Sequence, residues 1–364
     1  MRQAEPRLPV VLHVTHSLDF GGVESHLRTL ARTSGNRFDH RFCALQRGGA
    51  AAESIRALGS DVSILGVDPW RNPLNCIAKV AALVRRVQPE VVHGHGLEGN
   101  LIGIAAAMGS GVGVRIAEEI GIPEHSLKAR TALRVLYAIA TRVIAVSNAT
   151  RDAIVKLGEA PRSKIVPIYS PVELPAFQTI ARKPGEPLRI GFVGRLEPVK
   201  NALALVRALT LLPDGFECRL ILIGDGSERS TIEKFIRSNR LAGSVVLTGF
   251  SEDPAKLLAS CHLYVQPSHT EGLGIALVEA MGCGLPVIAT KRGGMGEIVE
   301  HGVNGWLIAS GEPGEIAQAI ESAARLQPRQ LALIGAAARR SVENRFDPLG
   351  YLRKLEQLYE DCLS

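Results

Sequence analysis

Aromatic residues make up only 4% of this 364-residue chain, which leaves little surface for base stacking and argues against nucleic acid as a partner. Cysteine is sparse as well. Cys43, Cys76, Cys218, Cys261, Cys283 and Cys362 are scattered with no Cys-x-x-Cys pair, which excludes zinc-finger spacing and a disulfide framework and fits packing residues in a reducing compartment. Long hydrophobic runs are missing too: the longest uncharged apolar stretch, residues 101–114, is too short to span a bilayer. The apolar run from Leu8 to Val14 gives way at once to His16, Ser17 and Asp19, unlike a signal peptide, so the expected location is the cytoplasm. Neither opening strand-to-helix turn carries Gly-x-Gly-x-x-Gly, which disfavours a dinucleotide-dependent oxidoreductase, and no cofactor is expected.

Hydrophobic residues supply 46% of the chain, enough for two sizeable cores at this length. The net charge of +6 is uneven: residues 1–178 carry 21 Lys and Arg against 15 Asp and Glu, and the remainder is balanced at 21 against 21. Either the first half has an ordinary solvated surface, or it presents an electropositive face to an anionic partner such as a membrane surface.

The first half alternates strand-like and helix-like segments. Val10–Val14, Phe42–Leu45, Val62–Leu65, Val91–His93 and Val143–Val146 read as strands. Between them fall helical patterns at Val23, Leu27 and Leu30, over 53–58, and at Ile77, Val80, Ala81 and Val84, while Ser147 suits the N-cap of a helix through Leu157. The rhythm restarts at Arg189–Gly194, with later strands at 219–223, 245–247, 263–266 and 287–289. Such alternation predicts an α/β chain with parallel sheets covered on both faces. Residues 170–188 hold four prolines and no sustained periodicity, so they read as the linker. The boundaries expected are 1–175, 188–345, and a final helical segment over 346–364.

The densest signal runs from Ser268 to Trp306. Glu271-Gly272-Leu273-Gly274 leads into Ile275-Ala276-Leu277-Val278-Glu279, which places two carboxylates just over two helical turns apart, near one face. The glycines let backbone N–H groups approach an anion at a helix N-terminus, where the macrodipole already favours negative charge. A carboxylate, a phosphate cradle and a second carboxylate, in that order, suit a ligand with hydroxyl-rich groups on both sides of a diphosphate.

This Glu-x7-Glu segment resembles the signature of the family 4 glycosyltransferases, retaining enzymes of the GT-B fold. Gly194-Arg195-Leu196-Glu197-Pro198-Val199-Lys200-Asn201 is similar to their diphosphate segment, and Gly21-Gly22-Val23-Glu24 to their N-terminal glycine loop. The resemblance implies two Rossmann-like, doubly wound domains facing across a cleft, the first binding acceptor and the second binding nucleotide sugar, with the tail crossing back to the first. It implies a hexose or N-acetylhexosamine moved from a UDP- or GDP-sugar to a glycan or lipid-linked acceptor in cell-surface polysaccharide or glycolipid assembly. Charge accumulates on the leaving diphosphate, so fixed cations and N–H groups carry such a reaction; Arg195 and Lys200 are the candidates. Glu271 would hold the transferred sugar and Glu279 the ribose, with Gly21, Gly22, Gly194, Gly272, Leu273, Gly274 and Ile275 lining the donor. Leu273 stands where the family usually has Phe, and Ser170-Pro171-Val172-Glu173 departs from its Asn-Gly-Val-Asp.

His95 corresponds to the family histidine near the transferred sugar, and His93 reads as a buried structural residue, the two imidazoles being expected on opposite sides of their strand. No carboxylate lies at a spacing that would complete a metal set around them, and the chain has no Asp-x-Asp, so a metal-independent site is expected. Glu118 and Glu119 lie where relatives bind acceptors. Leu127, Leu133, Leu136 and Tyr137, interleaved with Lys128, Arg130 and Arg134, form either a basic amphipathic helix resting on the inner face of a membrane or a core-facing helix with a solvated face. The rival activities are a nucleotide-sugar epimerase on the same fold and a catalytically silent scaffold.

Overall fold

Short runs of Val, Ile and Leu bounded by turn residues build two sheets. The structure, a computed structural model, describes residues 7–19, 21–33, 35, 37–123, 126–175, 182–183 and 185–364. These divide into two units, one of residues 1–172 with 346–364 and one of 173–345.

The first unit holds strands β1 (Val10–Leu18), β2 (Asp39–Gly48), β3 (Val62–Ile64), β4 (Val91–His95), β5 (Val114–Glu119), β6 (Arg142–Ala145) and β7 (Ile165–Pro167). They form one parallel sheet in the order β3-β2-β1-β4-β5-β6-β7. Alternation along the strands sorts the core onto two faces. Val11, Phe42, Val91 and Ile116 pack with Leu27 and Leu30 of the helix Gly22–Thr33 and with Leu352 and Leu355 of the helix Pro348–Leu363. Leu12, Val14, Cys43, Leu45 and Val92 pack on the other face with Val80, Leu83 and Ile102. Each fully buried leucine among them contributes about 1.5–3 kcal/mol.

The helix Pro348–Leu363 starts where it does because Asp347 accepts from the Leu349 and Gly350 amides at 3.4 and 2.7 Å and Pro348 occupies the first turn. It packs within the first unit, against the helix Gly22–Thr33 and under β5. The helix Leu127–Ile139 answers the alternative left open above. Leu133, Leu136 and Tyr137 are buried in the core while Leu127 and Val135 are exposed. Arg130 and Arg134 donate to the Leu157 and Gly158 carbonyls at 2.6 and 2.8 Å, capping the C-terminus of the neighbouring helix Asn148–Leu157. The apolar face of this helix is core rather than membrane anchor; the Lys128 side chain lies outside the described residues. No described helix is long and apolar enough to cross a membrane.

The second unit holds β8 (Leu188–Val193), β9 (Cys218–Ile223), β10 (Val245–Gly249), β11 (Leu263–Gln266), β12 (Val287–Thr290) and β13 (Gly305–Ile308). Its parallel order is β10-β9-β8-β11-β12-β13. Ile190, Phe192, Leu220 and Leu222 pack with Leu205, Ile232, Ile316 and Ile320 from three helices. β5, β7 and β13 were not expected as strands. Two of these are only three or four residues long, and β5 ends in two glutamates, which hides its pattern.

Candidate functional site

The strand order of the second sheet reverses between β8 and β11, and such a switch point opens a crevice beyond the carboxyl ends of the two strands. The loop after β8 carries Gly194, Arg195 and Lys200; the loop after β11 carries Ser268 and Glu271. The His269 amide donates to the Val199 carbonyl at 2.9 Å, and the Asn201 amide group donates to Pro267 and Gly311 carbonyls at 3.1 and 3.0 Å, so the loops are fastened together.

At this junction Lys200 Nζ stands 2.6 Å from Glu271 Oε1. The same oxygen accepts from Gln266 Nε2 at 2.6 Å and from Ser268 Oγ at 2.9 Å, and Tyr264 Oη donates to Gln266 Oε1 at 2.9 Å. Glu271 is thus buried, paired with a lysine and held by three donors. The sequence placed Lys200 on phosphate and Glu271 on sugar without anticipating that the two would meet, 71 positions apart. Gln266 and Ser268 were missed as well; their signal is position, at the end of β11.

Gly274 begins the helix Ile275–Gly282 from the left-handed region, φ 94°, and a Cβ there would stand 3.0 Å from Met295 Cγ, so glycine is required. No described side chain caps this helix, and its first-turn amides have no intrahelical acceptor. Glu279, half-buried, is the fifth residue of the helix, about 6 Å along its axis from Ile275. Gly272 and Leu273 are buried and Ile275 is half-buried. Arg195 is exposed beside Glu197, whose carboxyl is lowered by hydrogen bonds from the Ser227 hydroxyl and amide. Gly194 donates its amide to the Ile223 carbonyl at 3.0 Å.

In the first unit Gly21 sits at φ 156°, where a Cβ would fall 2.5 Å from Glu24 Oε2. Glu24 is in the first turn of the helix begun by Gly22 and accepts from Ser17 Oγ at 2.8 Å. Ser147 caps the helix Asn148–Leu157 through the Thr150 amide at 3.0 Å.

The histidines required correction. His93 and His95 lie on one side of β4, ring centroids 4.1 Å apart, because alternation returns the side chain to the same face every second residue. Both are buried. His95 spends Nδ1 on Glu118 Oε2 and Nε2 on His13 Nδ1, the latter at 2.9 Å, so neither ring nitrogen is left for a sugar. A buried carboxylate does lie beside them: Glu118, Cα partner of His95 across β4 and β5, holds Nδ1 of His95. Glu118 is fully buried and Glu119 nearly so, accepting from Tyr137 Oη at 2.9 Å; the burial removes both from acceptor contact. Burial alone would raise the Glu118 carboxyl, but His26 and His95 beside it hold it down at about 2. Burial lowers His26 and His40 to about 4, and His13 and His93 well below the ordinary imidazole value.

A second polar group was not anticipated. Trp70, 59% exposed, donates its indole N–H to Glu98 Oε1 at 3.0 Å, and His16 Nδ1 stands 3.9 Å from the same oxygen. Glu98 is in the first turn of the helix that follows β4 and His16 is near the end of β1, the switch point of the first sheet.

Two family profiles match consecutive stretches of the chain: Glycosyltransferase Family 4 over residues 20–175 and Glycosyl transferases group 1 over residues 175–340. The N-acetyl-alpha-D-glucosaminyl L-malate synthase of Bacillus anthracis is 32% identical over 173 residues, 47% of this chain and 45% of that enzyme, so the chain spans about half the length of this curated relative. The capsular polysaccharide biosynthesis glycosyltransferase CapM of Staphylococcus aureus is 26% identical over 315 residues, 80% of this chain and 82% of CapM. Among solved structures, HepE of Anabaena in complex with UDP-glucose superposes with a TM-score of 0.84 at 26% identity, covering 97% of this chain and 99% of that one.

Proposed function

Since the chain belongs to the group 1, family 4 glycosyltransferases and has their GT-B fold, we propose that it transfers a hexose or N-acetylhexosamine from a nucleoside diphosphate sugar to a glycan or lipid-linked acceptor. The transfer retains anomeric configuration, needs no catalytic divalent ion, and serves cell-surface polysaccharide or glycolipid assembly. The observation that carries this reading is the Lys200–Glu271 pair at the switch point, followed by the uncapped helix that holds Glu279.

Lysine has three N–H donors. One is used on Glu271, so the others remain for oxygens of the leaving diphosphate, and the same cation ties the sugar-binding carboxylate to the phosphate. Arg195, exposed, adds a planar fork suited to phosphate. The amides at the start of the helix Ile275–Gly282 supply fixed dipoles, which stabilise charge as it develops without reorganising. Glu279 accepts from the ribose hydroxyls and Glu271 from hydroxyls of the transferred sugar. The complex of HepE with UDP-glucose supports a uridine nucleotide as the first donor to try. His95, Glu118 and Glu119 drop out of the reacting set on account of their burial. Trp70 and Glu98 take the acceptor role, an exposed indole face for a sugar ring and a carboxylate for its hydroxyls.

The test is a panel of UDP-, GDP- and ADP-sugars screened by thermal shift, then incubated with glycan and lipid-linked acceptors in the presence of a chelator, with the anomer of the product assigned by NMR. Conversion of a nucleotide sugar with no acceptor present would replace this reading by an epimerase. Stabilisation by no nucleotide would leave the scaffold reading.

A further inference from the structure

We propose that His13, His93 and His95 form a buried site for a divalent transition metal of the zinc type inside the first unit, one that holds the unit together and takes no part in sugar transfer. His13 and His93 are Cα partners across β1 and β4, and His95 follows on the same face. One ring nitrogen from each of the three lies within 4.8 Å of those of the other two.

Three features distinguish this cluster from incidental packing. Each imidazole has its other nitrogen fixed by a different buried partner. His95 Nδ1 is bound to Glu118, His93 Nδ1 to Tyr359 Oη at 2.7 Å, and His13 Nε2 to His40 Nδ1 at 2.9 Å. Such outer partners fix tautomer and ring direction in metal centres, a carboxylate behind a histidine above all. Next, among the described residues His93 Nε2 is buried with no hydrogen-bond partner, as is Glu118 Oε1. A polar atom sealed from water without a partner is costly, and a metal would supply one to the imidazole. Finally, among the described residues the ion-pair partners of Glu118 are all imidazoles, His26, His93 and His95. No described Lys or Arg pairs with this buried carboxylate, so a cation would offset its charge.

Neutral imidazoles select borderline metals over Mg²⁺ or Ca²⁺, and structural zinc takes four ligands in a tetrahedron. Three come from this chain. Two nitrogens sharing a tetrahedral zinc stand about 3.3 Å apart, whereas His13 Nδ1 and His95 Nε2 are 2.9 Å apart around a shared proton. Binding therefore opens the pair by a few tenths of an ångström, and His13 frees Nδ1 by carrying its one proton on Nε2, where it donates to His40 Nδ1 while His40 keeps its own proton on Nε2. The site is enclosed: Tyr351 and Tyr359 of the helix Pro348–Leu363 bind His26 and His93. Metal enters as the chain folds and exchanges only when that helix lifts.

Protein produced in zinc-supplemented medium should hold about one zinc per chain after dialysis against chelator, measured by elemental analysis. Chain refolded with Co²⁺ should take up about one equivalent and show the visible bands of tetrahedral cobalt. His93→Gln should lose both signals, and His262→Gln, a buried imidazole of the second unit, should keep them. Less than about 0.1 equivalent of metal in wild type by both routes overturns the proposal, as does a full equivalent in His93→Gln. If that variant does not fold, wild type refolded with Zn²⁺ and with chelator decides the matter: a higher melting temperature with zinc supports the site, and equal melting without uptake refutes it. Because these readouts involve no donor or acceptor, failure here leaves the glycosyltransferase reading untouched.

Discussion

Replacing Lys200 by alanine separates the catalytic role proposed for this residue from its structural one. In the folded chain its ammonium lies 2.6 Å from Glu271 Oε1, with the two side chains 22% and 9% exposed. A hydrogen bond to a charged group contributes about 1.5–3 kcal/mol. Gln266 and Ser268 continue to donate to the same oxygen, so the loss should fall at the lower end, about 1.5 kcal/mol, or roughly 3–6 °C in Tm for a unit of this size. Catalysis should suffer more. Loss of one fixed donor to developing charge costs about 2.7–4 kcal/mol, which is 10²–10³ in kcat. The assay is release of nucleoside diphosphate at saturating donor and acceptor, run beside circular-dichroism melts. Lys200→Ala combined with Glu271→Ala should recover part of the stability, since neither charge is then left alone, while activity stays lost. A folded Lys200→Ala protein with wild-type kcat would refute the assignment of Lys200 to the leaving group.

Four further outcomes are expected. Arg195→Ala should lower kcat by about 10²–10³ with no change in Tm, because the side chain is exposed; a shift in Tm with unchanged kcat would make Arg195 structural. Glu279→Gln should raise the donor KM about tenfold, one hydrogen bond's worth, and abolish discrimination between the donor and its 2′-deoxyribose analogue, whereas retained discrimination would remove Glu279 from the ribose. Trp70→Ala should raise the acceptor KM and leave the donor KM alone; the opposite split would assign the indole to the donor. His262, lowered to about 4 by burial and then by Arg189, with Glu186 opposing and Arg182 adding to the shift, should give stability that is fully present above pH 6.5 and is lost as pH falls toward 4, since the unfolded chain binds the proton more readily in that window. Allowing for solvent screening the effect is about 1–2 kcal/mol, and urea melts of wild type and His262→Gln that fall in parallel between pH 7 and 4.5 would contradict it.

The local geometry of the proposed donor segment was legible because its signal is local. Gly272, Gly274 and Glu279 occupy one turn and the helix it begins, so a short window of sequence contains both the backbone geometry and the charge. The meeting of Lys200 with Glu271 was not legible in that way. It follows from β8 and β11 being neighbours at the reversal of strand order, a property of topology that no window around either residue contains. The helix Leu127–Ile139 shows the opposite hazard: its basic and apolar stripes suit a membrane surface, and only the burial of Leu133 and Tyr137 together with the capping by Arg130 and Arg134 shows that the apolar stripe faces the core.

The histidine cluster marks where single-strand reasoning ends. From the sequence alone, strand alternation was enough to put His93 and His95 on one face, and expecting them on opposite faces misapplied it. What alternation does not supply is the register between strands, which sets His13 opposite His93 and Glu118 opposite His95. Nor does it supply the helix above them, because Tyr351 and Tyr359 arrive from more than 250 residues along the chain. A strand buried on both faces usually reads as continuous Val, Ile and Leu, so histidines at 13 and 93 within such runs mark positions where hydrophobic burial was given up. Polar atoms survive in a core only when they are satisfied by one another or by something bound. Most of this cluster is satisfied internally, through Glu118, His40, Tyr351 and Tyr359. The atoms that are not, His93 Nε2 and Glu118 Oε1 among them, single out where an ion is to be sought, and the three converging imidazoles identify its kind.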